Sequence, residues 1–206
     1  MRNLAMSTGS ANLLIDLPKF LRSEAEEHRQ AFEALLRGLE APFGDALSLC
    51  EASVRGGGKL LLFGNGGSAA DAQHIAAELV IRYKADRPAI AAIALTTDSS
   101  TLTAGANDLG YDTIFARQIE ALGRPGDVAI GISTSGKSPN VIAGLRVARA
   151  QGLKTLGLSA GSGAEMPKLC DSLLLVPSAV TARIQEMHIF LGHMLCKGIE
   201  QRLGWA

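Results

Sequence analysis

Aromatic residues make up only 4% of the 206-residue chain, so its core cannot rest on stacked rings; with 47% apolar residues it must be packed from Ala, Leu, Ile and Val. Such an aliphatic composition, with 23 glycines, suits closely packed layers of helix on sheet. Cysteine is also scarce. Cys50, Cys170 and Cys196 are odd in number, scattered and without a CxxC pair. That argues against a disulfide framework or a thiolate zinc centre and points to a reducing compartment. No run approaches the ~18 apolar residues of a membrane span. The first twenty residues are interrupted by Asp16, Pro18 and Lys19 and so lack the apolar core of a signal peptide. Neither charge sign is in excess, with 20 Lys plus Arg against 20 Asp plus Glu, so no basic field for nucleic acid or an anionic membrane is expected. The expectation is a cytoplasmic protein.

The most informative stretch runs from Lys59 to Arg82. An apolar run, Leu60 to Phe63, breaks into Gly64-Asn65-Gly66-Gly67-Ser68 and resumes as a helical pattern. Three glycines in four positions let the backbone turn sharply and approach a ligand closely. Ser68 and Asp71 have the spacing of a capping box, which predicts a helix starting at Ser68. His74 and Glu78, four apart, fall on one face of that helix. Two plainer readings stand beside this one: a turn with no ligand, and a surface pair worth roughly 0.3–0.5 kcal/mol. The small and apolar neighbours, Ile75, Leu79 and five alanines, predict a largely buried helix, in which His and Glu need a partner, a metal or a task.

Residues 1–11 read as a loose start, and 12–39 turn helical, with Pro18 favouring a start near Leu17 over Asn12. A second helix, about Phe43 to Val54, stops at three glycines. After Leu60–Phe63, apolar runs at Ala91–Leu95, Asp127–Ile132, Lys154–Leu158 and Ser172–Val176 alternate with helical patterns. Five strands, apolar along their length and separated by helices, predict an α/β fold with a doubly wound parallel sheet. The whole chain reads as a single domain, with residues 12–58 a helical extension that either packs on another subunit or forms a plain lid over the core.

A second loop, Ser133-Thr134-Ser135-Gly136-Lys137-Ser138, precedes Pro139. Ser138 as N-cap and Pro139 at the first helical position make a helix start whose hydroxyls and positive dipole end suit a phosphate, the plainer reading being a polar loop with an ordinary cap. The spacing is not that of a P-loop, and no GxGxxG supports a dinucleotide. Both loops should lie beyond the carboxyl ends of the strands, where open parallel sheets bind ligands. The last helix, about Ala182 to Leu203, carries Gln185, His188 and His193. His188 reads as a packing residue. Gln185 and His193 are separated by about 12 Å of helix rise, so a site using both suggests leaning side chains or a contribution from a second subunit.

With these residues assembled, the chain resembles the sugar isomerase (SIS) family, and most closely its phosphoheptose isomerases, from Lys59 to about Glu200. The resemblance is carried by Gly64 to Ser68, His74 with Glu78, Asn107-Asp108, Ser133-Thr134-Ser135 with Ser138, and Arg183-Ile184-Gln185-Glu186 with His193. It implies a five-stranded flavodoxin-like sheet and a homotetramer with sites between subunits. It places the Ser133–Ser138 loop on phosphate and Asn65, Gly66, Gly67 and Ser68 on the sugar, with Asn107, Asp108 and Gln185 also touching substrate. It also implies zinc at His74, Glu78, Gln185 and His193. The implied reaction is conversion of sedoheptulose 7-phosphate to D-glycero-D-manno-heptose 7-phosphate, the first step of ADP-heptose synthesis for lipopolysaccharide core or related glycans. Aldose–ketose isomerisation needs a base, an acid and charge stabilisation at oxygen, and Glu78 and His193 are the expected base and acid. Two rivals stand beside it: a non-catalytic SIS protein binding a replication initiator, and an isomerase of another sugar phosphate.

Overall fold

The computed structural model describes residues 15–205, so the loose start over residues 1–11 and a helix start at Asn12 lie outside the described residues. Helix α1 spans Leu17–Leu36; the Asp16 carboxylate accepts the Lys19 N–H at 3.1 Å, and Pro18 sits in the first turn. Helix α2 spans Glu40–Arg55 and begins earlier than Phe43 because Pro42, in its first turn, has no N–H that the helix needs. Then follow β1 (Leu60–Gly64), α3 (Gly67–Val80), β2 (Ala92–Ala94), α4 (Ser99–Leu109) and α5 (Ile114–Leu122). The chain closes with β3 (Val128–Ile132), α6 (Pro139–Ala150), β4 (Lys154–Ala160), β5 (Ser172–Val176) and α7 (Thr181–Arg202).

The five strands form one parallel sheet in the order β2-β1-β3-β4-β5. Successive side chains of a strand point to opposite faces, and both faces are covered. Leu60 and Leu62 of β1 join Ile130, Ile132, Leu156 and Leu158 in a core under α1, α2, α3 and α7. Leu61 and Phe63 join Ala129, Phe115, Ile119, Val141 and Leu145 in a second core under α5 and α6. Burying one such side chain is worth about 1.5–3 kcal/mol, so β1, inaccessible along its whole length, is the apolar spine of the molecule. Asp127, expected in β3, lies just before it. Its carboxylate is spent on the Lys59 and Arg124 N–H groups, at 2.9 and 2.8 Å, and on the Lys59 ammonium.

Strand order reverses between β1 and β3, which pair from Leu60↔Val128 to Gly64↔Ile132. The loops after Gly64 and after Ile132 therefore leave the sheet side by side, as expected at a topological switch point. On the helix side, α3 and α7 come close because Gly192 has no side chain; a methyl group there would strike Ile75. The three cysteines are free. Cys50 and Cys196 are buried in the first core, and burial pushes all three thiols up to about 12.

Candidate active site

Beyond β1 the chain turns at Gly66, whose φ of +55° is comfortable only without a Cβ. That glycine, and not Ser68, is the N-cap of α3. Ser68 already lies inside the helix, buried, with its N–H on the Asn65 carbonyl at 3.0 Å. Asp71 does not close a capping box: its Oδ2 is buried without a hydrogen-bond partner. Burial pushes that carboxyl up to about 6, although His74 nearby pulls it down.

Helix α3 is buried through Ala72, Ile75, Ala76 and Leu79, yet His74 stands on its rim with its side chain 48% exposed, in contrast to the expected burial, and Glu78 is 24% exposed. The seven-residue interval from Gly67 brings His74 level with His193 on α7. The two Nε2 atoms lie 2.8 Å apart, and His74 Nε2 is 3.4 Å from Glu78 Oε1. One donor atom from each of His74, Glu78 and His193 lies within 4.8 Å of the others. Two imidazole nitrogens and a carboxylate oxygen converging so closely form a donor set of the kind that holds zinc. All three come from one chain, so His193 needs no second subunit to reach His74 and Glu78. Gln185 occupies the other end of the α3–α7 seam. Its carboxamide lies so close to Gly67 that a methyl group on Gly67 would overlap it.

The two loops are tied by side chains. Asn65 Nδ2 donates to Asn140 Oδ1 at 2.8 Å, and Asn140 Nδ2 donates back to Asn65 Oδ1 at 2.9 Å. Asn140 Oδ1 also accepts the Val141 N–H, and the Tyr111 hydroxyl donates to Asn65 Oδ1 at 3.1 Å. Neither Asn140 nor Tyr111 was singled out from the sequence. An asparagine directly after the Ser138-Pro139 helix start was the available signal for the first; Tyr111 had none. Asn107 and Asp108 bond each other at 2.7 Å on the exposed end of α4, just ahead of Tyr111.

In the second loop, Ser138 is the N-cap of α6 and Pro139 its first residue, but the Ser138 hydroxyl makes no cap bond. It pairs with the buried Ser133 hydroxyl at 3.0 Å instead. Gly136, at φ +65°, packs against the Gly163 backbone. Thr134 and Ser135 face a cleft of about 260 Å³ shared with Gly161, Ser178 and Thr181. Hydroxyls lining a cleft beside a helix N-terminus make an anion site on physical grounds. His188, by contrast, is fully buried; its Nε2 lies 3.1 Å from the Ser159 carbonyl and its Nδ1 has no partner.

Residues 25–160 match the SIS domain family, so the second half of α1 and all of α2 fall inside the family pattern and not ahead of it. A phosphoheptose isomerase of Paramagnetospirillum magneticum is 59% identical over 88% of this chain and 94% of its own. One of Campylobacter jejuni is 53% identical over 88% and 97%. The solved phosphoheptose isomerase of Neisseria gonorrhoeae superposes with a TM-score of 0.84 at 41% identity, over 90% of this chain and 99% of its own. That of Francisella tularensis gives 0.86 at 36%, over 91% and 100%. A family model over most of the chain, relatives alike over nearly their whole length and solved structures that superpose on it show that the chain belongs to the SIS domain family and, within it, to the phosphoheptose isomerases.

Proposed function

We propose that the protein interconverts sedoheptulose 7-phosphate and D-glycero-D-manno-heptose 7-phosphate, with Glu78 as base and His193 as acid. The observation that carries the assignment of roles is the convergence of those two side chains with His74. Glu78 removes a proton from C1, and His193 delivers one to the C2 carbonyl oxygen, giving an enediol. Glu78 then returns its proton to C2, while His193 takes the proton from the C1 hydroxyl as the aldehyde forms. No net oxidation occurs, and both residues end as they began. The 2.8 Å contact from His74 to His193 holds the acid ring in place. The hydroxyls of Ser133, Thr134, Ser135 and Ser138 would hold the phosphate. Asn65, Gly66, Gly67, Ser68, Asn107, Asp108 and Gln185 would hold the sugar.

His74, Glu78 and His193 fit zinc; the Gln185 of the same chain stands at the other end of the seam against Gly67, so a glutamine as fourth ligand would have to come from a second subunit. Bound there, zinc would supply a Lewis acid for the sugar oxygens. Ligation and proton transfer then compete for the Glu78 carboxylate, since a metal-bound carboxylate is a poorer base. The proposed setting is a cytoplasmic homotetramer of single SIS domains, with the outer face of α1 at the subunit contact, serving ADP-heptose synthesis for lipopolysaccharide or related glycans. An exposed apolar stripe on α1, Leu17, Phe20 and Leu21, supports such assembly. A clean monomer in sedimentation at micromolar concentration would count against it. Among the described residues no helix is long and apolar enough to cross a membrane.

Turnover of sedoheptulose 7-phosphate before and after chelation tests the reading, with loss on chelation and recovery on adding zinc expected. Glu78→Gln should abolish turnover while substrate still binds in calorimetry. Full activity in that variant would sink the role given to Glu78. No turnover by the parent protein under any metal condition would favour a binding role instead.

A further inference from the structure

The segment 81–91, between α3 and β2, is irregular, yet it is anchored by the most deeply buried ion pair among the described residues. Arg87 Nε donates to Glu200 Oε1 at 2.9 Å, with the two side chains 1% and 0% exposed. The rest of the Arg87 fork closes the end of α3. Nη2 donates to the Glu78 carbonyl at 2.9 Å, and Nη1 to the carbonyls of Leu79 and Pro88 at 2.7 and 2.9 Å. Those α3 carbonyls are helix-terminal acceptors with no partner inside the helix, at the negative end of its dipole. Glu200, on α7, accepts the N–H groups of Tyr83 and Ala85 at 3.2 and 3.4 Å. Held by that bond, Tyr83 lays its ring 5.5 Å from the ring of His193.

One ion pair thus touches the backbone of residue 78 on one side and the residue stacked on His193 on the other. Stability alone does not account for it. A buried pair gives up hydration that its attraction barely restores, and apolar residues of similar volume often serve the fold as well or better. Apolar residues could not donate to three carbonyls or accept three N–H groups.

We propose that Arg87 and Glu200 are positioning residues that set the Glu78 and His193 side chains in register with each other across the α3–α7 seam. The proposal rests on the acid–base reading given above for those two residues. Misplacing a reacting group by ~1 Å costs on the order of 100-fold in rate. Replacing both partners, Arg87→Met with Glu200→Met, should therefore leave a folded protein whose kcat for sedoheptulose 7-phosphate is about 10- to 100-fold lower, with KM within about twofold. Arg87→Lys, which keeps the charge but not the fork, should lose kcat as well.

A second readout needs no catalysis: Zn²⁺ titrated into chelated protein should bind about tenfold more weakly to the double variant, as loss of supporting partners around ligands typically does. If the double variant melts near the parent temperature and keeps both kcat and Zn²⁺ affinity, the proposal is overturned. If it fails to fold, Arg87→Lys decides by the same two measurements. A parent protein that binds Zn²⁺ but turns over no sugar phosphate would defeat the functional reading. The Zn²⁺ titration would then still decide the positioning role.

Discussion

Asn140 joins what the backbone leaves separate. It sits 75 residues from Asn65, and its carboxamide and that of Asn65 exchange two hydrogen bonds, with Tyr111 adding a third to Asn65 Oδ1. This leaves the Asn65 side chain little to offer a sugar beyond its remaining N–H, so its main effect is to fix the spacing between the Gly66 turn and the Ser133–Ser138 loop. A hydrogen bond of this kind contributes about 1 kcal/mol net, and an orphaned buried partner costs about 1–3. Asn140→Ala should therefore lower stability by about 1–3 kcal/mol in denaturant unfolding. It should also raise KM for sedoheptulose 7-phosphate about tenfold while inhibition by inorganic phosphate changes little, because the anion loop itself keeps its Ser133–Ser138 bond. Equal weakening of both would show that Asn140 supports the anion loop and not the spacing.

The passage from β1 into α3 is crowded in two different ways. A methyl group at Gly64 would meet the Ile132 carbonyl and Ser68 Cβ, each at 2.8 Å, and neither can move without shifting the sheet or the helix. At Gly67 it would meet only the end of the Gln185 side chain. Gly64→Ala should thus lower the melting temperature strongly, as overpacking costs about 1–3 kcal/mol. Gly67→Ala should melt within a few degrees of the parent but bind substrate or Zn²⁺ more weakly, since it displaces Gln185. If Gly67→Ala leaves both affinities intact, the place proposed for Gln185 is wrong. The same element marks the limits of reading the sequence. Strands β1, β3, β4 and β5 were legible because a strand covered on both faces is mostly apolar, although Thr155 and Ser159 interrupt β4. The edge strand β2 proved shorter than expected, with Ile93 exposed. The helix start at Ser68 was misread because Ser68 and Asp71 have capping-box spacing, whereas the turn is decided by a positive φ at Gly66. His74, Glu78 and His193 could be picked as residue types, but their meeting depends on Gly192 letting two helices approach. Arg87, Tyr111 and Asn140 act across tens of residues and left no periodic trace.

Across the molecule, acid should find a weak point at His188, which lies in the core between α7 and β4. Burial lowers its proton affinity in the folded state, while the Ser159 carbonyl opposes that only in part. The unfolded chain protonates near the ordinary histidine value of about 6.5, and the folded chain only below it. The unfolded state therefore binds more protons in that interval, so stability is full above about pH 6.5 and drains as the pH falls toward the folded value. In chelated protein, the melting temperature should drop less between pH 7.5 and 5.5 for His188→Gln than for the parent. Equal slopes would place the acid sensitivity elsewhere.

The thiols hidden in this architecture lead somewhere else. A disulfide-exchange reagent attacks thiolate, and Cys50 and Cys196, sealed between α2 and α7 with their ionisation pushed up to about 12, present almost none to solvent. Cys170, the third thiol, is only partly buried, and Cys170→Ser leaves the two sealed ones alone to report. In that variant any colour change should run only as fast as the helical layer lifts from the sheet, a stopwatch in the same cuvette as the enzyme and untouched by substrate chemistry.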